Sequence, residues 1–133
     1  RAVTGFAHEV SARAGDGWVA VGDAGGFLDP LFCSGTTLAV ASAAEASAAI
    51  LDALAHGDAS ASAFERYARR IDRAAELYLA LTRAFYTGDL GDVILVAKTR
   101  AARPPVASVL AGDVFGDDPP WRAALRERYG FVA

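Results

Sequence analysis

The stretch that most constrains this chain is GWVAVGDAGGFLDPLFCSGTTLAVASAAEASAAILDAL, from Gly17 to Leu54. A short apolar run, Trp18 to Val21, reads as a buried strand. It leads through Gly22-Asp23 into a glycine-rich turn and then into a long helix of small residues. A strand that delivers glycines and an acid to a helix start is a device for holding a polar ligand. The strand gives a rigid exit point, and the glycines let the backbone approach a ligand closely. The helix start offers unpaired N–H groups and partial positive charge. Asp23, at the strand end, is placed to accept hydrogen bonds from ligand hydroxyls. The competing reading is an aspartate that bonds its own turn backbone, and position alone leaves the two even.

Upstream, Val3 to Ala14 alternates loosely, with Phe6, His8, Val10 and Ala12 on one side. That predicts a strand, and Gly15-Asp16-Gly17 predicts a tight turn pairing it with Trp18–Val21. The glycines of that turn precede a strand, so they are not a dinucleotide fingerprint, which needs strand, glycines and helix in that order. Downstream, a helix is expected to start between Ser34 and Thr36, with one of these two as N-cap. His56-Gly57 ends it, with Gly57 suited to a left-handed cap.

Ser62-Ala63-Phe64-Glu65 has the form of a capping box, so the next helix starts there. Phe64, Tyr67, Ala68, Ile71, Ala75, Tyr78, Thr82 and Phe85 recur at helical spacing and predict one apolar face. Arg66, Arg69, Arg70 and Arg73 share the other side with Glu65, Asp72 and Glu76, a solvated, salt-bridged face; an anion-binding patch is the alternative. Gly88-Asp89-Leu90-Gly91 breaks this helix. Another is expected over Asp92–Ala101 and stopped by Pro104-Pro105. A short helix over Val106–Ala111 is closed by Gly112. A last one has Asp118 as N-cap, Pro119 as its first residue and Gly130 as its end.

With 133 residues the chain is one modest domain or a piece of a larger one. Hydrophobic content of 53% and mean hydropathy of +0.25 exclude disorder. They are high for a small domain that must cover its own surface, as a face made for a missing half would require. Arg1 at the start and the lack of methionine agree with a piece of a longer protein; processing on expression is the alternative. A net charge of −3 calls for neither nucleic acid nor an anionic membrane. A single cysteine excludes an internal disulfide framework, and with only His8 and His56 no metal site is expected. The Ala-rich stretch Thr36–Ala55 carries Glu45 and Asp52 and reads as a buried soluble helix, not a membrane span. The location read from this is cytoplasmic.

The string Gly22-Asp23-Ala24, then Phe27-Leu28-Asp29-Pro30-Leu31-Phe32, then Ser34-Gly35 before a long helix resembles the second flavin-binding motif of FAD-dependent monooxygenases. It is closer still to that of flavin-dependent halogenases acting on phenol or pyrrole substrates. VASVLAGDVFGDDPP, Val106 to Pro120, resembles the segment after that family's long helices. The resemblance covers the chain from Gly15 to about Leu125.

This resemblance implies a mainly α fold with a short β-hairpin (α+β), the C-terminal piece of an FAD/NAD(P)-binding, Rossmann-like flavoprotein. Residues 1–57 would hold the flavin motif and residues 58–133 a helical region. Gly22, Asp23, Ala24, Pro30, Gly35 and Thr36 would bind FAD, and Ser34, Gly35 and Thr36 would host a chloride at the helix start. Gly25 and Gly26 would let the flavin pass closely, in a loop looser than the family usually has. Cys33, where the family often has serine, is read as a small packing residue. Tyr67, Tyr78, Phe85 and Tyr86 would cover the substrate side, unless they are plain core.

The implied activity is chlorination of an electron-rich aromatic, free or carrier-bound, using reduced FAD, oxygen and halide, with a separate flavin reductase as partner. The adenosine-binding motif and the family's active-site lysine would lie on an N-terminal half. Lys98 matches no such motif, so no catalytic residue is assigned within these 133 residues. Two same-fold alternatives stay open, an FAD-dependent aromatic hydroxylase and an isoprenoid reductase. A third is a non-catalytic helical module that pairs through its alanine-rich face.

Overall fold

In a computed structural model describing residues 7–88, 90–91 and 103–115, the chain is mainly helical with one short antiparallel hairpin. Strands β1 (Ala14–Gly15) and β2 (Trp18–Val19) pair with Ala14 opposite Val19 and Gly15 opposite Trp18. Asp16-Gly17 turns the chain, with Gly17 at φ 76. Gly15 is glycine for a packing reason: a Cβ there would run into the Trp18 indole across the ladder.

The hairpin is shorter than the alternation predicts. A ladder is no longer than its shorter strand, and the second chain turns away at Gly22, φ 60. One further rung, Ala20 N–H to Arg13 O at 2.8 Å, extends it. Before Arg13 the chain pairs elsewhere, through a single antiparallel bridge of His8 with Phe27. The part of the expected strand before Ala7 lies outside the described residues. Nor is the second strand buried: Trp18 is 49% exposed, because a two-stranded ribbon has one face to cover and another left bare.

Helix α1 (Ser34–His56) follows. Its N-cap is neither Ser34 nor Thr36 but Cys33, in the left-handed region at φ 53, ψ 23 and without a side-chain capping bond. Ser34 is already inside the first turn because the left-handed residue reverses the chain one position earlier. At the other end Gly57 sits at φ 66, and Asp58 N–H reaches back to Ala53 O at 3.0 Å, the expected glycine-capped end.

The expectation that this helix is buried does not hold within the chain. Leu38, Ser42, Ala46 and Ala53 form a buried stripe, while Val40, Leu51 and Leu54 are 69%, 68% and 72% exposed. By length and composition α1 is also long and apolar enough to cross a membrane, with 22% of the relevant window buried.

Helix α2 (Glu65–Thr87) is entered through a 3-10 turn, Ala61–Phe64. The predicted capping box does not form. Asp16 Oδ1, from the hairpin turn, accepts the Ala61 N–H at 2.7 Å, and Asp58 Oδ1 accepts that of Ser60 at 3.0 Å. The Ser62 hydroxyl meets Ser60 Oγ at 2.8 Å instead. A tertiary acceptor thus ties down the turn that leads into the helix.

The chain forms two units that divide inside α2, Arg1–Asp72 and Arg73–Ala133. In the first, Phe64, Tyr67 and Ile71 are buried, as are Leu38, Ala46 and Ala53 of α1. Glu45 of α1 pairs with Arg70 of α2 at 3.3 Å. Burying Ile71 to 1% exposure contributes about 1.5–3 kcal/mol. In the second, Leu77, Tyr78, Leu81 and Ala84 are buried, with Leu90, Val106, Val109 and Val114.

The predicted apolar face of α2 therefore holds from Phe64 to Thr82. It fails at Phe85, 47% exposed and edge-on to Tyr86 at 5.6 Å. The charged side is solvated as expected, with Arg69 and Glu65 paired at 2.9 Å. Helix α3 (Arg103–Leu110) carries Pro104-Pro105 in its first turn, where a missing N–H costs nothing. The prolines thus open this helix; the expectation that they stop an earlier one lies outside the described residues. Gly112, φ 90, follows its end, with Asp113 N–H on Ser108 O at 3.0 Å. The helices expected over Asp92–Ala101 and after Pro119 lie outside the described residues.

Candidate functional site

After β2 the chain passes Ala20-Val21 and folds into a 3-10 turn, Gly22–Gly25. Gly22 N–H donates to Ser42 Oγ at 3.0 Å, and that hydroxyl donates to Ala39 O at 3.1 Å. A Cβ on Gly22 would touch Ala39 at 3.5 Å, so the turn lies directly on α1. Four other bonds fix its main chain. Ala20 O accepts the Tyr67 O–H at 2.5 Å. Asp23 O accepts the Gly26 N–H at 3.0 Å. It also accepts from His8 Nε2 at 3.0 Å, and since a carbonyl only accepts, Nε2 carries the proton. Gly25 O accepts from Arg13 Nη1, while Arg13 Nε pairs with the Asp72 carboxylate.

The side chain of Asp23 is treated differently. The residue is exposed, and its carboxylate takes no hydrogen bond among the described residues. The turn is bonded through the Asp23 carbonyl, so the self-bonding reading of this aspartate is not the one adopted. Ala24 beside it is also exposed. Gly25 and Gly26 do not form a loose loop. A Cβ on Gly25 would fall 2.9 Å from Arg13 Nη1, and Gly26 sits at φ 118, a conformation side chains disfavour. What Gly25 admits is the Arg13 guanidinium.

Asp29 Oδ1 accepts the Leu31 N–H at 2.8 Å, a side-chain turn of the kind aspartate forms locally. Pro30 is exposed and its carbonyl accepts Cys33 N–H at 3.2 Å. Cys33 is exposed rather than packed; its left-handed backbone swings the chain into α1.

At the helix start the three predicted residues separate. Ser34 is 2% exposed and its hydroxyl is aimed at Asp29 O, 3.5 Å away, so it can offer a ligand only its N–H. Gly35 lies under Phe27, whose ring would stand 3.5 Å from an added Cβ. Thr36 is exposed, but its N–H is drawn to Cys33 O at 3.2 Å. The amides that α1 itself leaves unused are therefore those of Ser34 and Gly35.

Arg13, Ser42, His8 and Tyr67 hold the site, and no motif contains them. Ser42 had one weak signal, its place on the same helical stripe as Leu38 and Ala46. Arg13 had none. Tyr67 and Tyr78, considered for the substrate side, are 3% and 1% exposed and belong to the core. Burial is the largest effect on Tyr67 and raises its pKa; Arg13 and the Ser42 hydroxyl oppose the rise and Asp72 adds to it.

Against known proteins, the family model described as tryptophan halogenase matches residues 11–93. Over 110 residues, 83% of this chain and 24% of the relative, the sequence is 30% identical to the 1H-pyrrole-2-carbonyl peptidyl-carrier-protein chlorinase of Pseudomonas fluorescens. It is 38% identical over 82 residues to the flavin-dependent halogenase rdc2 of Metacordyceps chlamydosporia, 61% of this chain and 16% of that one. To the flavin-dependent halogenase gsfI of Penicillium aethiopicum it is 35% identical over 85 residues, 63% and 16%. The chain spans less than a quarter of the length of these curated relatives.

Proposed function

From the premise that this chain belongs to the tryptophan halogenase family, we propose that it is the C-terminal part of an FAD-dependent halogenase with a Rossmann-like flavin domain. The observation that carries the reading is Asp23, an exposed carboxylate with no hydrogen-bond partner among the described residues, on a turn whose backbone is fixed from outside. That donor set fits the cofactor. Ribityl hydroxyls donate and need a fixed acceptor, which Asp23 supplies. A reduced flavin ring carries negative charge at its pyrimidine edge and needs amide donors, which Ser34 and Gly35 supply at a helix start. The strained backbone of Cys33, φ 53, agrees with a site held in shape for a ligand.

In this reading Gly22, Asp23, Ala24, Pro30, Gly35 and Thr36 hold FAD. A chloride sits at the amides of Ser34 and Gly35, with the Thr36 hydroxyl beside them. When bound, FAD supplies the electrons that activate oxygen; this chain binds, orients and lends electrostatic support. Residues 1–57 form the flavin part and residues 58–133 the helical part. The substrate is an electron-rich aromatic, a phenol or a pyrrole. The names of the relatives favour halide chemistry and include one carrier-bound pyrrole. The protein works in the cytoplasm with a separate flavin reductase and needs an N-terminal half for the adenosine end. The exposed apolar stripe Val40, Leu51 and Leu54 of α1 supports such a half.

The test is to purify the chain with its upstream half and record the flavin absorption spectrum. Bound flavin is expected, and Asp23→Ala should weaken it about tenfold or more, the loss of hydrogen bonds to a charged acceptor. Unchanged affinity in the mutant refutes the role given to Asp23. A colourless protein indifferent to FAD supports a non-catalytic module. Turnover without halide supports a hydroxylase or reductase instead.

A further inference from the structure

We propose that Arg13 is the positioning residue of the turn that presents Asp23 to the flavin; this rests on the function proposed above. Arg13 lies outside every motif, yet its side chain is 12% exposed and makes two directed contacts. Nε pairs with Asp72 of α2, and Nη1 donates to Gly25 O. Enclosing a guanidinium is costly unless its donors are matched. Here two of them are matched, to the carbonyl of the last residue of the 3-10 turn and to a carboxylate on a separate helix.

The glycines agree. A Cβ on Gly25 would meet Arg13 Nη1 at 2.9 Å and Ala20 O at 3.2 Å, and one on Gly26 would lie 3.8 Å from Nη2. Gly25 is thus cut down to the space the guanidinium occupies, while Gly26 is held to glycine by its φ of 118 and leaves the guanidinium in ordinary contact. Three further side chains reach in from elsewhere: Ser42 to Gly22, His8 to Asp23 O, and Tyr67 to Ala20 O just before the turn. Two residues of α2 are tied to this stretch: Tyr67 directly through Ala20 O, and Asp72 through Arg13 to Gly25 O. A turn fixed in this way aims the Asp23 carboxylate before the ligand arrives, so affinity is not spent on ordering it.

Lysine cannot replace arginine in this role. Its single ammonium lacks the planar fork that reaches two acceptors in two directions. Arg13→Lys should therefore behave like Arg13→Gln, and both should weaken FAD binding by about tenfold or more. The melting temperature without flavin should fall by only a few degrees. Gly25→Ala, which displaces the guanidinium without removing it, should show the same weakening. The double variant with Arg13→Gln should be no worse than either single change, since both remove one interaction.

The experiment uses the full-length polypeptide containing this chain. FAD affinity is read by flavin fluorescence quenching, the bound-flavin spectrum by absorption, and apo-protein melting separately. A wild type that binds no FAD overturns both the functional reading and this inference. A wild type that binds FAD, is weakened by Asp23→Ala, but keeps its affinity in Arg13→Gln and Gly25→Ala overturns this inference alone. So does a lower melting temperature with flavin affinity and spectrum unchanged, which marks a purely structural ion pair. If Arg13→Gln does not fold, Gly25→Ala and Asp72→Asn decide, through the same affinity and spectrum.

Discussion

Gly26 and Gly35 both look like flavin glycines in the sequence, but the backbone gives them different reasons. Gly26 sits at φ 118, whereas Gly35 has an ordinary helical backbone with room for a methyl against Phe27 at 3.5 Å. Gly26→Ala should destabilise the fold by about 1–3 kcal/mol, the cost of a side chain in that region. Gly35→Ala should leave stability unchanged or raise it by about 0.4–1 kcal/mol. Denaturant midpoints of the two variants check this. If Gly35→Ala proves as damaging as Gly26→Ala, Gly35 is a packing residue and its place in the flavin site loses its support. Asp23 draws attention in the sequence because it stands at a strand exit inside the flavin-motif string, although its position alone leaves a ligand reading and a turn reading even. Arg13 does not, because an arginine before a hairpin looks like any surface charge until Gly25 folds back onto it.

Helix α1 shows why a small-residue helix is hard to read. Its length and both ends were visible, from the Ser34 region and from Gly57. Its buried side was not, because alanine and serine give little contrast between faces. The structure buries Leu38, Ser42, Ala46 and Ala53 and leaves Val40, Leu51 and Leu54 exposed. Polar substitution of that exposed trio should change the stability of this chain by no more than about 0.5 kcal/mol. It should also abolish co-purification with the upstream half. If the same substitutions unfold the chain instead, the stripe belongs to its own core. The entry to the other helix makes the same point: the capping box at Ser62 does not form, and Asp16, 45 residues away in the chain, holds the Ala61 N–H instead.

At the scale of the whole molecule, stability should depend on alkaline pH through Tyr67. Burial raises this phenol above its ordinary value of 10.0, so the folded state keeps a proton that the unfolded state gives up. The contribution is complete below that ordinary value and is lost as pH climbs through the folded one. Tyr67→Phe removes the bond to Ala20 O, costing about 1 kcal/mol near neutral pH. The gap between wild type and Tyr67→Phe should then narrow above the ordinary tyrosine range. Unfolding midpoints at about pH 8 and about pH 11 measure it; a gap that widens would show that the phenol ionises more easily when folded.

The sequence by itself determined the elements that depend on neighbours: two long helices, a glycine cap, a two-residue hairpin turn, and an acid at the exit of a strand. These follow from backbone freedom and from periodicity, which act over a few residues. Only the tertiary structure decided what holds that acid in place. Arg13, Ser42, Tyr67 and His8 converge on residues 20–25 from separate parts of the chain, and hydrogen bonds across such distances in the chain leave no local pattern to read.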